Sequence, residues 1–314
     1  MLLIFMISSP GCKTPRPLLF RLLVVCLLAF IVPNVRADLN AKQARKLITR
    51  MPGFELTNGS VHIKTISTTS AQAAEVTAEI RTVFKFEKDK QGRWRVAEIR
   101  TRPDQWEDLT FVAKALGSSV VANECNAPDP PFRGALAIDP SVKRARCLLG
   151  DLLGVEVPSD ALRIQEVSPL PIPLAPQPSA VVIAWIRIDA RLLNGNKGWE
   201  VGELRTGKRD WVKLKPLIAS LNEEKQRKAR TELESIARAL ELFRGERGFY
   251  VVSDKQSVAV DHLSPRYLPQ IIRVDPWHQP YKYNGQRDHF TLRSSGPDGK
   301  DNTSDDIEIS SPSR

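Results

Sequence analysis

Four aspartates, Asp298, Asp301, Asp305 and Asp306, fall within nine consecutive residues near the end of the chain. Carboxylates that close repel one another at neutral pH unless a cation or a set of donors neutralises them. The fitting cation is a hard divalent ion such as calcium, which takes six to eight oxygens at about 2.3–2.6 Å. The spacing is not that of an EF-hand loop, which alternates acidic or amide residues and closes on a glutamate at the twelfth position. A solvated acidic turn is the other reading of the same composition.

The residues before this loop must position it. Leu233, Ile236, Ala237, Leu240 and Phe243 recur at three- and four-residue intervals, one apolar face of an amphipathic helix. Gly245 and Gly248 are expected to end it. Asp275-Pro276 then sets an extended approach into a turn, because proline pushes the preceding residue out of helical geometry. Trp277, Tyr281 and Tyr283 supply apolar area to a small sheet packed on the helix. His278 has no Cys, His or Glu cluster around it and reads as a turn residue rather than a ligand.

The order of these pieces resembles the C-terminal globular domain of the major (G-type) pseudopilin of type II secretion systems. The matching pieces are the helical run 229–243, Gly248-Phe249-Tyr250, Tyr267-Leu268-Pro269, Asp275-Pro276-Trp277 and Pro280-Tyr281-Lys282-Tyr283. The strand Phe290-Thr291-Leu292-Arg293 follows, then Ser295-Gly296-Pro297-Asp298-Gly299 and Asp305-Asp306-Ile307. The resemblance covers about residues 225–310. It implies one structural Ca2+ ion in the loop, with Asp298, Asp305 and Asp306 as side-chain ligands. Asp301 has no clear counterpart in that family and its role stays open; with Ser295 it completes the candidate metal set. His278 stands where the family usually has glycine.

A filament-forming pseudopilin starts with a processed leader and a long apolar helix, and this chain starts differently. Lys13, Arg16 and Arg21 precede an apolar run from Leu22 to Val32, and Val35-Arg36-Ala37 fits a small-residue cleavage site, so residues 1–37 read as a secretory signal peptide. The run is short for a span of the bilayer. Export to the periplasm or the exterior is expected, with membrane attachment only if the segment stays uncleaved. Four of the 46 basic residues and none of the 36 acidic ones lie in those 37 positions, so the mature chain keeps a modest, dispersed basic excess. No clustered basic face marks a nucleic-acid partner. Of the four cysteines, Cys125 and Cys147 lie in the mature chain, where an oxidising compartment favours a disulfide between them.

The middle of the chain repeats itself. Residues 42–56 align with 143–157 at an offset of 101, and Trp94, Glu98, Arg100, Thr101 and Trp106 align with Trp199, Glu203, Arg205, Thr206 and Trp211 at 105. The proline-rich insert 169–178 absorbs the difference. Each copy reads as a leading helix, a strand, a long strand, a turn, a third strand through the tryptophan, and a closing helix from Trp106 or Trp211. The Gly-x-Trp-x-Val ending of the first hairpin is similar to cystatin-like and NTF2-like sheets. The repeated Glu, Arg and Thr either line a ligand cleft between the copies or pair within one strand face. The tryptophans read as core anchors.

The expected fold is therefore α+β: two tandem helix-plus-antiparallel-sheet repeats, then a pseudopilin-like domain in which a long helix packs on a small antiparallel sheet with a calcium loop. The expected boundaries are repeat 1 at 38–119, a linker at 120–138, repeat 2 at 139–221, the pseudopilin-like domain at 222–310 and a tail at 311–314. The four histidines are scattered and no nucleophile elbow, phosphate loop or zinc spacing occurs, so no enzyme is expected. The expected function is a non-enzymatic cell-envelope role tied to type II secretion or pilus-like assembly, with a protein partner in the envelope or secretion machinery. The alternative is an exported ligand-binding protein whose cleft lies between the repeats.

Overall fold

A computed structural model describes residues 39–116, 140–170 and 178–311. The signal segment, Cys125, the linker, most of the proline-rich insert and residues 312–314 lie outside those residues. The architecture is α+β.

The first copy runs α1 (Ala41–Thr49), β1 (Val61–Ser70), β2 (Ala73–Lys88), β3 (Trp94–Arg102), β4 (Gln105–Asp108) and α2 (Leu109–Ala115). The second runs α3 (Val142–Leu153), β5 (Leu162–Pro169), β6 (Ser179–Gly195), β7 (Gly198–Thr206), β8 (Val212–Lys213) and α4 (Leu214–Arg247). Helix α1 starts on a capping box, in which the Asn40 side chain and the Gln43 side chain each accept from the other residue's backbone N–H. Trp106 sits on the short strand β4 and Trp211 just before β8, so the closing helices begin three residues later than the tryptophans suggest.

The two copies do not close separately. Strands β2 and β6 pair antiparallel along almost their whole length, giving one eight-stranded sheet in the order β4-β3-β2-β6-β7-β8, with β1 added to β2 and β5 to β6. Ile80 faces Ile186 and Arg81 faces Trp185. At the repeat offset of 105 these are equivalent positions, so the copies meet about a local two-fold at mid-strand. The irregularities repeat too. Lys64 and Gln165, 101 apart, are the extra residues where β1 and β5 slip register. Ala97 and Gly202, 105 apart, are the extra residues in β3 and β7. A bulge inserts one residue and increases local twist, so the duplication preserves curvature as well as sequence.

Alternation along β2 and β6 divides the sheet by face. Ala74, Val76, Ala78, Ile80, Phe84 and Phe86 pack with Ala180 through Leu192 of β6 and with Ala44, Ile48, Ala145, Leu148 and Leu149 of α1 and α3 in one core. The opposite face is half-buried and polar. Arg191 pairs with Glu75 at 2.8 Å and Glu203 at 3.1 Å, and Asp189 accepts from Thr77 at 2.9 Å and pairs with Arg205 at 2.8 Å.

Helix α4 crosses the boundary expected at 221/222 without interruption. Gly245 lies inside it, and Gly248, at φ +81°, is the C-cap that ends it. After α5 (Gln256–Leu263), strands β9 (Lys282–Gly285), β10 (Phe290–Ser294) and β11 (Ile307–Ser310) form a three-stranded antiparallel sheet. Leu233, Ile236, Leu240 and Phe243 of α4 pack with Tyr250, Tyr281, Tyr283, Phe290 and Leu292 in a second core.

Candidate metal centre

The acidic loop is the connection from β10 to β11, and a buried carboxylate fixes its start. Asp275 is 2% exposed. Its Oδ1 accepts from the backbone N–H of Trp277 at 3.0 Å and of Gln279 at 2.9 Å, an Asx turn. Its Oδ2 accepts from the Ser294 hydroxyl at 2.6 Å, and that hydroxyl accepts from Gly296 N at 3.2 Å. Gly296 has φ +62°, and a Cβ there would lie 2.3 Å from the Asp305 carbonyl oxygen, so only glycine lets the two ends of the loop meet.

Three of the five candidate ligands converge on one hydroxyl. Thr303 Oγ1 lies 2.6 Å from Asp305 Oδ1, 3.3 Å from Asp306 Oδ1 and 3.4 Å from Asp298 Oδ1. The Lys300 carbonyl oxygen is 3.3 Å from the same atom. Backbone donors hold the carboxylates: Asp298 N to Asp305 at 3.1 Å, Lys300 N to Asp298 at 2.8 Å and Asn302 N to Asp306 at 2.9 Å. The Thr303 hydrogen bond holds the Asp305 carboxyl below the usual range. Asp301 and Ser295 stand together elsewhere in the loop. Ser295 donates to Asp301 at 2.8 Å, and Lys282 pairs with the same carboxylate and keeps its pKa low. Arg293 donates to Asn302 at 2.7 Å and lies 3.7 Å from Asp306.

This donor set is all oxygen, the chemistry a hard cation needs. Asp306 Oδ1 and Asp298 Oδ1 lie 3.3 and 3.4 Å from the central Thr303 Oγ1, farther than calcium–oxygen distances. Among the described residues no three His, Cys, Asp or Glu side chains form a ready metal-holding group. The residues fit an ion that takes the central place now filled by the Thr303 hydroxyl. Two contributors were not legible as such in the sequence: Asp275, masked by its Asp-Pro turn signal, and Thr303, a neutral residue among acids. His278 is exposed and adopts φ +68°, a left-handed turn position that explains why glycine suits it.

Residues 216–311 match the family model described as type II secretion system (T2SS), protein G. The match covers less than half of the chain and coincides with α4 through β11. The match supports a structural role related to type II secretion for this pseudopilin-like segment. No curated protein and no solved structure matches the chain.

The equivalent strands of the two repeats hydrogen-bond edge to edge, which joins the copies in one sheet. The repeated polar set pairs locally. Glu98 binds Lys85 and Glu203 binds Arg191, residues directly opposite or beside them across each hairpin. Arg100 lies over Trp106 at 5.7 Å, and Arg205 and Arg191 both lie over the Trp211 ring, at 4.5 and 4.0 Å. Of the repeated tryptophans, Trp94 is buried and Trp199 is half-buried against the first core, as anchors, whereas Trp106 and Trp211 are half-buried platforms for arginine. Cys147 is disulfide-bonded. Among the described residues no helix is long and apolar enough to cross a membrane.

Proposed function

We propose that this chain is a non-enzymatic, exported protein of the cell envelope that presents a calcium-stabilised pseudopilin-like domain to the secretion machinery. The family match over 216–311 carries the reading. Convergence of Asp298, Asp305 and Asp306 on one point supports the ion. When bound, calcium neutralises three carboxylates and cross-links the two ends of the β10–β11 loop. The leader expected at 1–37 supports periplasmic or extracellular placement.

The domain reaches its partners on a rigid mount. Helix α4 runs from the sheet of the repeats into the second core as one 34-residue element. Its first turns pack against the repeats: the side chains of Lys225 on α4 and Glu107 on β4 meet at 2.7 Å with 7% and 12% of their surface exposed.

In-cell cross-linking of the full chain, followed by mass spectrometry, tests the reading. Type II pseudopilins or the secretin are expected among the cross-linked proteins, with contacts on 216–311. Cross-links confined to proteins outside that machinery would sink it.

A further inference from the structure

Helix α4 carries Leu214, Leu217, Ile218 and Leu221 on one stripe, yet only Leu214 is buried. The other three line a cavity of about 480 Å3 between α4, repeat 1 and the Trp277–Gln279 turn. Phe54, Leu109 and Val112 supply a facing apolar wall. Ligand sites have this size and character, roughly 300–1,000 Å3, mostly apolar, with a few placed polar groups.

Arg102, His278 and Asp298 line the cavity as exposed residues, and the buried polar group in its lining is the Glu107–Lys225 ion pair. An ammonium has three donors. One of them goes to Glu107 Oε2, and among the described residues no protein acceptor takes the other two. Glu107 Oε1 likewise receives no protein donor among those residues. Burial raises the Glu107 pKa despite the attraction of Lys225 and, farther off, His278, while Asp108 adds to the rise. The pair is balanced in charge but leaves one acceptor and two donors unused beside an apolar chamber. A carboxylate guest at this pair would repel Glu107, and an ammonium guest would repel Lys225. A neutral group with one acceptor and one donor fits both.

We infer that this cavity binds a neutral, apolar small molecule carrying one amide-type group, whose carbonyl accepts from the Lys225 ammonium and whose N–H donates to Glu107. The site lies between the repeats and the pseudopilin-like segment, not between the two repeats, and its two proposed contacts, Lys225 and Glu107, are not among the candidate cation ligands.

The test titrates the full chain with three probes of nearly equal size: N-acetyl-leucinamide (neutral), N-acetyl-leucine (anion) and leucinamide (cation). The readout is the methyl chemical shifts of Leu217, Ile218 and Leu221. The neutral probe should move these methyls saturably and bind about ten-fold or more tightly than either charged one, the worth of a charge-assisted hydrogen bond. The double variant Glu107→Gln/Lys225→Met, with its melting point checked, should lose about as much, and Leu217→Phe should block binding by filling the chamber. Unmoved methyls with the neutral probe would overturn the site. Equal or tighter binding of a charged probe, or full binding by the double variant, would overturn the chemical class.

Discussion

Tyr281 shows how much the third segment depends on single buried polar contacts. Its hydroxyl donates to Glu232 Oε2 at 2.6 Å, and burial, then Glu232, raise its pKa well above the ordinary 10. Tyr283 is raised by burial and donates to the Val251 carbonyl at 2.6 Å. Groups that stay protonated in the folded state contribute stability that is intact below pH 10 and is lost as the pH climbs above it. A phenolate titration should therefore show both tyrosines ionising together with unfolding of this segment; smooth ionisation with the fold retained would contradict the packing described. Among the described residues, Tyr281→Phe leaves the Glu232 carboxylate with Lys228, 3.8 Å away, as its remaining partner. It should cost about 1–3 kcal/mol in denaturant melts. At this scale the acidic cluster was legible, because four aspartates in one loop stand out in the sequence by themselves. Asp275 and Thr303 were not, since their roles depend on which loop ends meet.

At the scale of elements, the repeat was legible in sequence but its assembly was not. Helix order, strand order and turn positions followed from periodicity and glycine placement. Edge-to-edge pairing of β2 with β6 did not, because a strand of alternating small and apolar residues reads alike whether its edge is paired or free. That pairing predicts that repeat 1 alone, residues 39–116, exposes the β2 edge and dimerises through it, since β2 is equivalent to the strand it has lost. Sedimentation of that fragment checks this; a stable monomer would contradict the local two-fold. The Glu107–Lys225 contact makes a second prediction. Lys225→Ala should cost about 3–5 kcal/mol by leaving a buried carboxylate unpaired, whereas Glu107→Leu/Lys225→Met should be nearly neutral. Equal losses in single and double variants would show the pair is not coupled.

For the whole molecule, the continuous α4 determines the behaviour. It belongs to both cores, with Leu214 in the first and Leu233 to Phe243 in the second. The sequence hinted at this through the polar stretch Asn222–Lys228, which has no proline or glycine to stop a helix. It could not reveal that the helix would also anchor the turn at Trp277, whose indole donates to Asn222 at 3.0 Å. The acidic loop connects β10 to β11 of the third segment, and the first effect of the proposed ion is expected on that segment's own melting. The most direct measurement is a thermal melt of the full chain, followed through the tyrosines of the third segment, in calcium, magnesium and chelator. Calcium at about a hundred times its dissociation constant should add roughly 2.7 kcal/mol to that transition, with magnesium far weaker and Asp305→Ala and Asp306→Ala unresponsive. Identical melts in calcium and chelator would mean that Thr303 and the backbone donors satisfy the loop alone, and the calcium-stabilised reading would be wrong.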